Sequence, residues 1–122
     1  MCIIGEPIRK FDCVPPIVAY RIFKKCPKKY RSVYYFFYFV LGKKYVARDM
    51  GLRGVPKLMF YTSDGFWSFN TYNEARKYLR SKKNGAYVLA KITIWGRAVE
   101  HVHGWRSEFM RIEKIYGEKN HN

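Results

Sequence analysis

Residues 71–95 read Thr71-Tyr72-Asn73-Glu74-Ala75-Arg76-Lys77-Tyr78-Leu79-Arg80-Ser81-Lys82-Lys83-Asn84-Gly85-Ala86-Tyr87-Val88-Leu89-Ala90-Lys91-Ile92-Thr93-Ile94-Trp95, and the hydrophobic period changes inside that stretch. Before Asn84-Gly85 it is helical. Tyr72, Ala75, Tyr78 and Leu79 make a narrow apolar stripe, and Arg76, Lys77, Arg80, Lys82 and Lys83 cover the remainder. Thr71 and Glu74 have the Thr-x-x-Glu spacing of a capping box, so the spacing predicts a helix over about 72–83. After Gly85 the period is two. Val88, Ala90, Ile92 and Ile94 share one side of a long strand, with Gly96 as a bend. One helix followed by one long strand sets the class as α+β.

Working outward, the N-terminal half adds strands. Residues 1–16 read as an irregular arm that ends at Pro15-Pro16, which has no ladder donors. Ile17–Phe23 is rich in β-branched and aromatic residues and stops at the basic turn Lys24-Lys25-Cys26-Pro27-Lys28-Lys29. Val33–Phe39 is apolar at every position, so both faces of that strand need cover or a use. Tyr45–Arg48, Lys57–Thr62 and Phe66–Phe69 are short strand candidates, with a loop over Met50–Pro56 and a turn at Ser63-Asp64-Gly65. In the closing segment Trp105, Phe109, Ile112 and Tyr116 recur at helical period. The expectation is one compact domain over 1–122: a twisted, largely antiparallel sheet of five or six strands, one main helix packed on it, and a polar tail over 117–122.

Composition bounds the class of protein. With 122 residues, 48% of them hydrophobic and 19% aromatic, the chain has too much apolar content for whole-chain disorder and too little length for two cores. Its longest apolar run, Val33–Leu41, is far shorter than the roughly 20 residues of a membrane span. The N-terminus lacks the basic and apolar regions of a secretion signal. Cys2, Cys13 and Cys26 are three thiols with no zinc or Cys-x-x-Cys spacing. No secretion, no membrane association and no disulfide framework are expected. The expected location is the cytoplasm of a host cell or a virus particle.

Charge points to a partner. There are 24 Lys+Arg against 9 Asp+Glu, a net charge of +15. Cys13–Arg48 holds Arg21, Lys24, Lys25, Lys28, Lys29, Arg31, Lys43, Lys44 and Arg48 without a single acid. Such self-repulsion is relieved by a polyanion. The segment also interleaves rings with the cations, as surfaces that stack bases and neutralise phosphates do. The predicted nucleic-acid-binding residues are Arg21, Lys24, Lys25, Lys28, Lys29, Arg31, Tyr34, Tyr38, Lys43 and Lys44. Alternation makes either Tyr34, Phe36 and Tyr38 or Tyr35, Phe37 and Phe39 the set exposed if any rings are, and the hydroxyls favour the first.

Downstream of Gly65, Gly65-Phe66-Trp67-Ser68-Phe69, Glu74-Ala75, Trp95-Gly96-Arg97-Ala98-Val99-Glu100-His101 and Gly104-Trp105-Arg106-Ser107-Glu108 carry a resemblance. The pattern resembles that of a diffuse group of small phage, bacterial and large-DNA-virus proteins. Trp67 stands where that group often has His, Trp105 where it has Tyr, and Ser107 where it has Ala. The resemblance implies a small α+β fold whose closing segment is a strand, against the helical period, and it implies no activity. A more distant likeness is to ADP-ribosyltransferase-type folds, which would put Arg21 on the dinucleotide pyrophosphate, Ser68 on the ribose, and Glu108 or Glu113 on the oxocarbenium-like transition state. The Ser-Thr-Ser pattern of those enzymes is absent, since Phe69-Asn70 follow Ser68.

Glu100, His101, His103 and Glu108 could be read as an acid/base or metal site, but a third ligand has no source, and turn or surface histidines are the simpler reading. No metal and no cofactor are expected. The leading expectation is a non-enzymatic, basic accessory or structural protein of viral or phage type that binds an anionic partner, nucleic acid first. The alternatives are a protein-only assembly role, as a minor virion component or an inhibitor of a host complex, using 33–39 as interface, and a transferase-like enzyme.

Overall fold

The computed structural model describes residues 4–26, 29–32, 38–46, 65–81 and 86–116. In chain order the elements are β1 (Pro7–Cys26), β2 (Lys29–Ser32), β3 (Tyr38–Phe39), β4 (Lys44–Val46), β5 (Phe66–Phe69), helix α1 (Tyr72–Arg80), β6 (Tyr87–His101) and β7 (Gly104–Tyr116). The seven strands form one sheet, and every pairing in it is antiparallel.

Strand β6 is the centre of the sheet. It pairs with β1 from Tyr87↔Lys24 to His101↔Pro7, and with β7 from Leu89↔Tyr116 to Glu100↔Trp105. The outer edges of β1 and β7 then meet β5, which pairs with β7 through Phe66–Phe69 and with β1 at Tyr20↔Phe69. These pairings close a ring, β1–β6–β7–β5. Beyond β5 the edge of β1 continues into β2 and β3, while β4 takes up the edge of β7.

Closure gives the sheet two faces with separate cores. Ala19, Phe23, Phe39, Phe66, Ala90, Ile92, Ile94, Met110 and Ile112 fill one side. Ile4, Ile22, Phe69, Ala75 and Leu89 fill the other, beneath α1. The helix stripe expected from the sequence is the one that packs, since Tyr72, Tyr78 and Leu79 flank buried Ala75 on this second core. Thr71 is the N-cap and its Oγ1 accepts from the Glu74 amide at 3.1 Å. The Glu74 carboxylate takes the Thr71 hydroxyl and also meets His103 Nδ1 at 2.7 Å, which ties the start of α1 to the β6–β7 connection.

The fold is α+β, largely antiparallel, with a short helix. Among the described residues the sheet has seven strands, which roughly fits the five or six expected. Several expectations need correction. The helix is described to Arg80 with Ser81 as its C-cap, and the 82–85 part of the predicted span lies outside the described residues. The arm expected to be irregular over 1–16 is strand from Pro7 onward. Its ladder survives the two prolines because β1 takes one extra residue at each of three register shifts, Pro7/Arg9, Phe11/Val14 and Val14/Ile17, and bulged positions tolerate a missing N–H. Likewise Gly96, at φ +84, bends β6 without ending it, and the strand runs on to His101.

The closing segment is a strand, against its helical period. The register shift between Lys91 and Ile92 leaves Glu113 as an extra residue on β7, so Ile112 and Ile115 enter the same core three positions apart while Tyr116 turns to the α1 side. The residues at helical spacing therefore do not share a face, since Trp105 and Ile112 pack on one core and Tyr116 on the other. The short strand expected over Tyr45–Arg48 is Lys44–Val46. The Lys57–Thr62 strand, the Met50–Pro56 loop, residues 33–37 and the 117–122 tail lie outside the described residues.

Closure also needs a glycine. A Cβ on Gly104 would collide with the Ser68 carbonyl oxygen and come within 2.7 Å of Ile4 Cγ2, whereas one on Gly42 would meet nothing within 4 Å, although Gly42 has φ +83. Gly104→Ala is therefore expected to cost about 3 kcal/mol, the upper end for overpacking, and Gly42→Ala about 1 kcal/mol from backbone conformation alone. Urea unfolding of both variants checks the order.

Candidate functional site

Alternation along β1 assigns its cations to different environments. Ala19, Arg21 and Phe23 point into the first core, whereas Tyr20, Ile22 and Lys24 lie on the α1 side. Arg21 is only 3% exposed, so it does not join the surface cations with which the sequence grouped it. Its guanidinium lies 5.0 Å from the Trp67 ring centroid, 5.3 Å from Phe23 and 5.8 Å from both Phe39 and Phe66. Nη1 donates to the Trp67 carbonyl at 2.9 Å. Strands β1 and β5 pair at Tyr20↔Phe69, and Arg21 serves a carbonyl farther along β5 where that ladder has ended. Burial pulls its pKa down to about 9, while the ring faces and the carbonyl offset part of the lost hydration.

The remaining predicted cations separate by register. Lys24 is directly opposite Arg31, and Arg31 is directly opposite Tyr38. On its other edge Lys24 faces Tyr87. Tyr87, Lys24, Arg31 and Tyr38 therefore form one row across four strands, on the α1 side of the sheet. Lys29, opposite Cys26, shares that face, and its Nζ lies 4.1 Å from the Tyr38 ring centroid. Tyr38 is 41% exposed and the next residue, Phe39, is buried, while the other rings of the two alternating sets, Tyr34, Tyr35, Phe36 and Phe37, lie outside the described residues. Lys25 is exposed on the opposite face. Lys43 follows the turn after β3, with Nζ 5.5 Å from the Tyr45 ring, and Lys44 stands on β4 opposite Arg111. Lys28 and Tyr34 lie outside the described residues.

The Trp-Gly-Arg-Ala-Val-Glu-His and Gly-Trp-Arg-Ser-Glu motifs turn out to hold each other. Arg97 binds Glu108 through its backbone N–H and through its guanidinium, at 2.9 Å for Nη2–Oε2, across the Gly96 bulge. Trp95 and Phe109 stack with centroids 5.5 Å apart. Glu100 pairs with Arg9 at 3.0 Å. His101, buried, has Nδ1 2.8 Å from the Gly5 carbonyl, while its Nε2 is 2.9 Å from Arg106 Nε. The Arg106 N–H must donate, so Nε2 carries the lone pair and Nδ1 the proton, which fixes a neutral imidazole. This network was missed in the sequence, where His101 was grouped with His103. Their partners differ: His103 is exposed and faces Glu74.

The transferase positions are dispersed in character. Arg21 sits among rings, Ser68 is fully buried, Glu108 is engaged by Arg97, and Glu113 lies exposed between Thr93 Oγ1 and Arg111 Nε at 2.8 and 2.7 Å. Neither Arg21 nor Ser68 reaches solvent to meet a dinucleotide. Among the described residues no three His, Cys, Asp or Glu side chains group in a way that could hold a metal ion. Cys13 and Cys26 are free thiols, and no described helix is long and apolar enough to cross a membrane. Comparison with protein-family models, curated proteins and solved structures finds no match to this chain.

Two outcomes follow for the buried cation and imidazole. Arg21→Lys should destabilise by about 2–4 kcal/mol, because an ammonium is more strongly hydrated and cannot fork to the carbonyl, and by more than Arg21→Met, which keeps the volume and removes the charge. Burial, with the Arg106 cation adding to it, outweighs the Gly5 hydrogen bond and holds the His101 pKa below its ordinary value. The unfolded chain therefore binds a proton below about pH 6.5 that the native chain refuses. Stability is full above that value and falls as the pH drops toward the lower native pKa. Urea midpoints at pH 7 and pH 5 should show the loss, and His101→Gln should flatten it.

Proposed function

We propose that this is a non-enzymatic, basic accessory or structural protein of the viral or phage type its C-terminal motifs resemble, and that it binds nucleic acid through the α1-side face of β1, β2 and β3. The observation that carries the reading is the row Lys24–Arg31 with Tyr38 and Lys29 beside it. Two like charges placed directly opposite on neighbouring strands repel, and a sheet gains nothing from that pairing on its own account. The acid-free stretch from Cys13 to Arg48 supplies no local carboxylate to relieve it.

The ion pairs Arg9–Glu100, Arg97–Glu108, Arg111–Glu113 and His103–Glu74 lie elsewhere, on the first half of β1, the β6–β7 hairpin and the start of α1. A phosphate backbone laid along the row would bring negative charge to both cations, and the exposed cations of α1, Arg76, Lys77 and Arg80, would extend its field.

Three phosphate contacts on a single strand, at Lys24, Arg31 and Lys29, give a log–log salt slope near −2, so affinity for an oligonucleotide should fall roughly 20-fold between about 50 and 200 mM salt. Lys24→Ala should reduce that slope by about 0.7. Titrations at several salt concentrations measure both, and a flat response rejects the proposal.

A further inference from the structure

We infer that the row selects single-stranded nucleic acid over duplex, with Tyr38 as the platform on which an unpaired base stacks. The inference rests on the polyanion reading above and adds the form of the partner. Three features support it.

The first is order. Neighbouring strands are ~4.8 Å apart, so the row Tyr87–Lys24–Arg31–Tyr38 puts its outer rings about 14 Å apart at the backbone with the two cations between them. Ring, cation, cation, ring matches three extended nucleotides, the two outer bases meeting the rings and the two intervening phosphates meeting the cations, with the middle base turned away. Tyr87 is half-buried and packs on the core beneath α1, so it can offer only part of its ring. Tyr38, at the outer end, carries the stacking.

The second is the state of the Tyr38 ring. Lys29 Nζ lies 4.1 Å from its centroid. A cation held against one face leaves the other face for a planar partner, and Tyr38 as a residue is 41% exposed. In β2 and β3 the neighbouring rings Tyr30 and Phe39 are committed to the core, packed with Phe23 and Tyr45.

The third is shape. The row lies on a sheet face beside α1, which covers Ile22 and Leu89 one step further along the same face. Reading duplex in a groove requires a helix or ribbon that projects, and the bases of a duplex have no free faces. A ledge of this kind admits a flexible strand with splayed bases.

The test uses the full chain and fluorescence anisotropy with three probes: a labelled oligothymidylate of about 15 nucleotides, a duplex of the same length, and heparin as a polyanion without bases. The oligothymidylate should bind at least about tenfold tighter than the duplex. Tyr38→Ala should weaken its binding about tenfold, within the range measured for loss of one base–aromatic stack, and Tyr38→Phe should restore it to within about twofold. Equal affinity for the two DNA probes, or a Tyr38→Ala variant that binds oligothymidylate as the parent does, overturns the single-strand inference while binding to duplex or heparin keeps the polyanion reading. Failure to bind any of the three overturns both.

Discussion

Strand β6 is committed on all four sides, and the rest of the structure is arranged around that constraint. Its two edges are hydrogen-bonded to β1 and β7, and its two faces are buried in different cores, Ala90, Ile92 and Ile94 in one and Leu89 in the other. A strand in that position cannot slip by one residue without exchanging the contents of both cores. The outer edges of β1 and β7 must therefore be brought round to a common neighbour. Strand β5 is that neighbour, and it contacts both only because Gly104 allows the Ser68 backbone to approach it and because Arg21 occupies the place where β5 leaves β1. A guanidinium is well suited to such a junction. It is long enough to reach the Trp67 carbonyl, planar enough to lie against rings, and charged enough that its burial is tolerated only with those partners in place.

The same geometry explains what could be read in the sequence and what could not. The helix and the β6 strand were legible because each keeps an uninterrupted period: 72, 75, 78 and 79 on one face, 88, 90, 92 and 94 on the other element's side. The closing strand was not legible from period, because the bulge at Glu113 breaks its alternation, so that Ile115 and not Lys114 follows Ile112 into the core. The first half of β1 was hidden for a related reason. Pro15-Pro16 signals the end of a regular ladder, and only the register with β6 shows that extra residues on β1 absorb the two prolines. Bulges depend on a partner strand, so no single-strand pattern announces them.

At the candidate site the division is similar. Arg21 was legible in principle, since its position between Ala19 and Phe23 places it on the apolar side of an alternating strand, and total charge counting obscured this. The His101–Arg106 contact was not. It joins the two arms of a hairpin whose turn residues, 102 and 103, also bind Glu6 and Ile4 carbonyls, so it exists only once the N-terminal segment has docked. That docking ties the imidazole to the neutral state. A proton on Nε2 would face the Arg106 donor, and a lost Gly5 contact would free the segment that carries Ile4 into the core beneath α1.

The distribution of carboxylates gives the charge argument its strength. Closing the ring brings Arg97 beside Glu108, Arg9 beside Glu100 and His103 beside Glu74, so acids of the second half of the chain neutralise cations within the barrel and its hairpin. Arg31 stands on β2, which extends the sheet from the edge of β1, and no pairing that builds the ring requires it to face Lys24. A Thr or Glu at either position would satisfy strand propensity or charge at least as well. Lys24 and Arg31 stand instead at the margin of the ring, in one row with the exposed Tyr38 and beside the ammonium of Lys29.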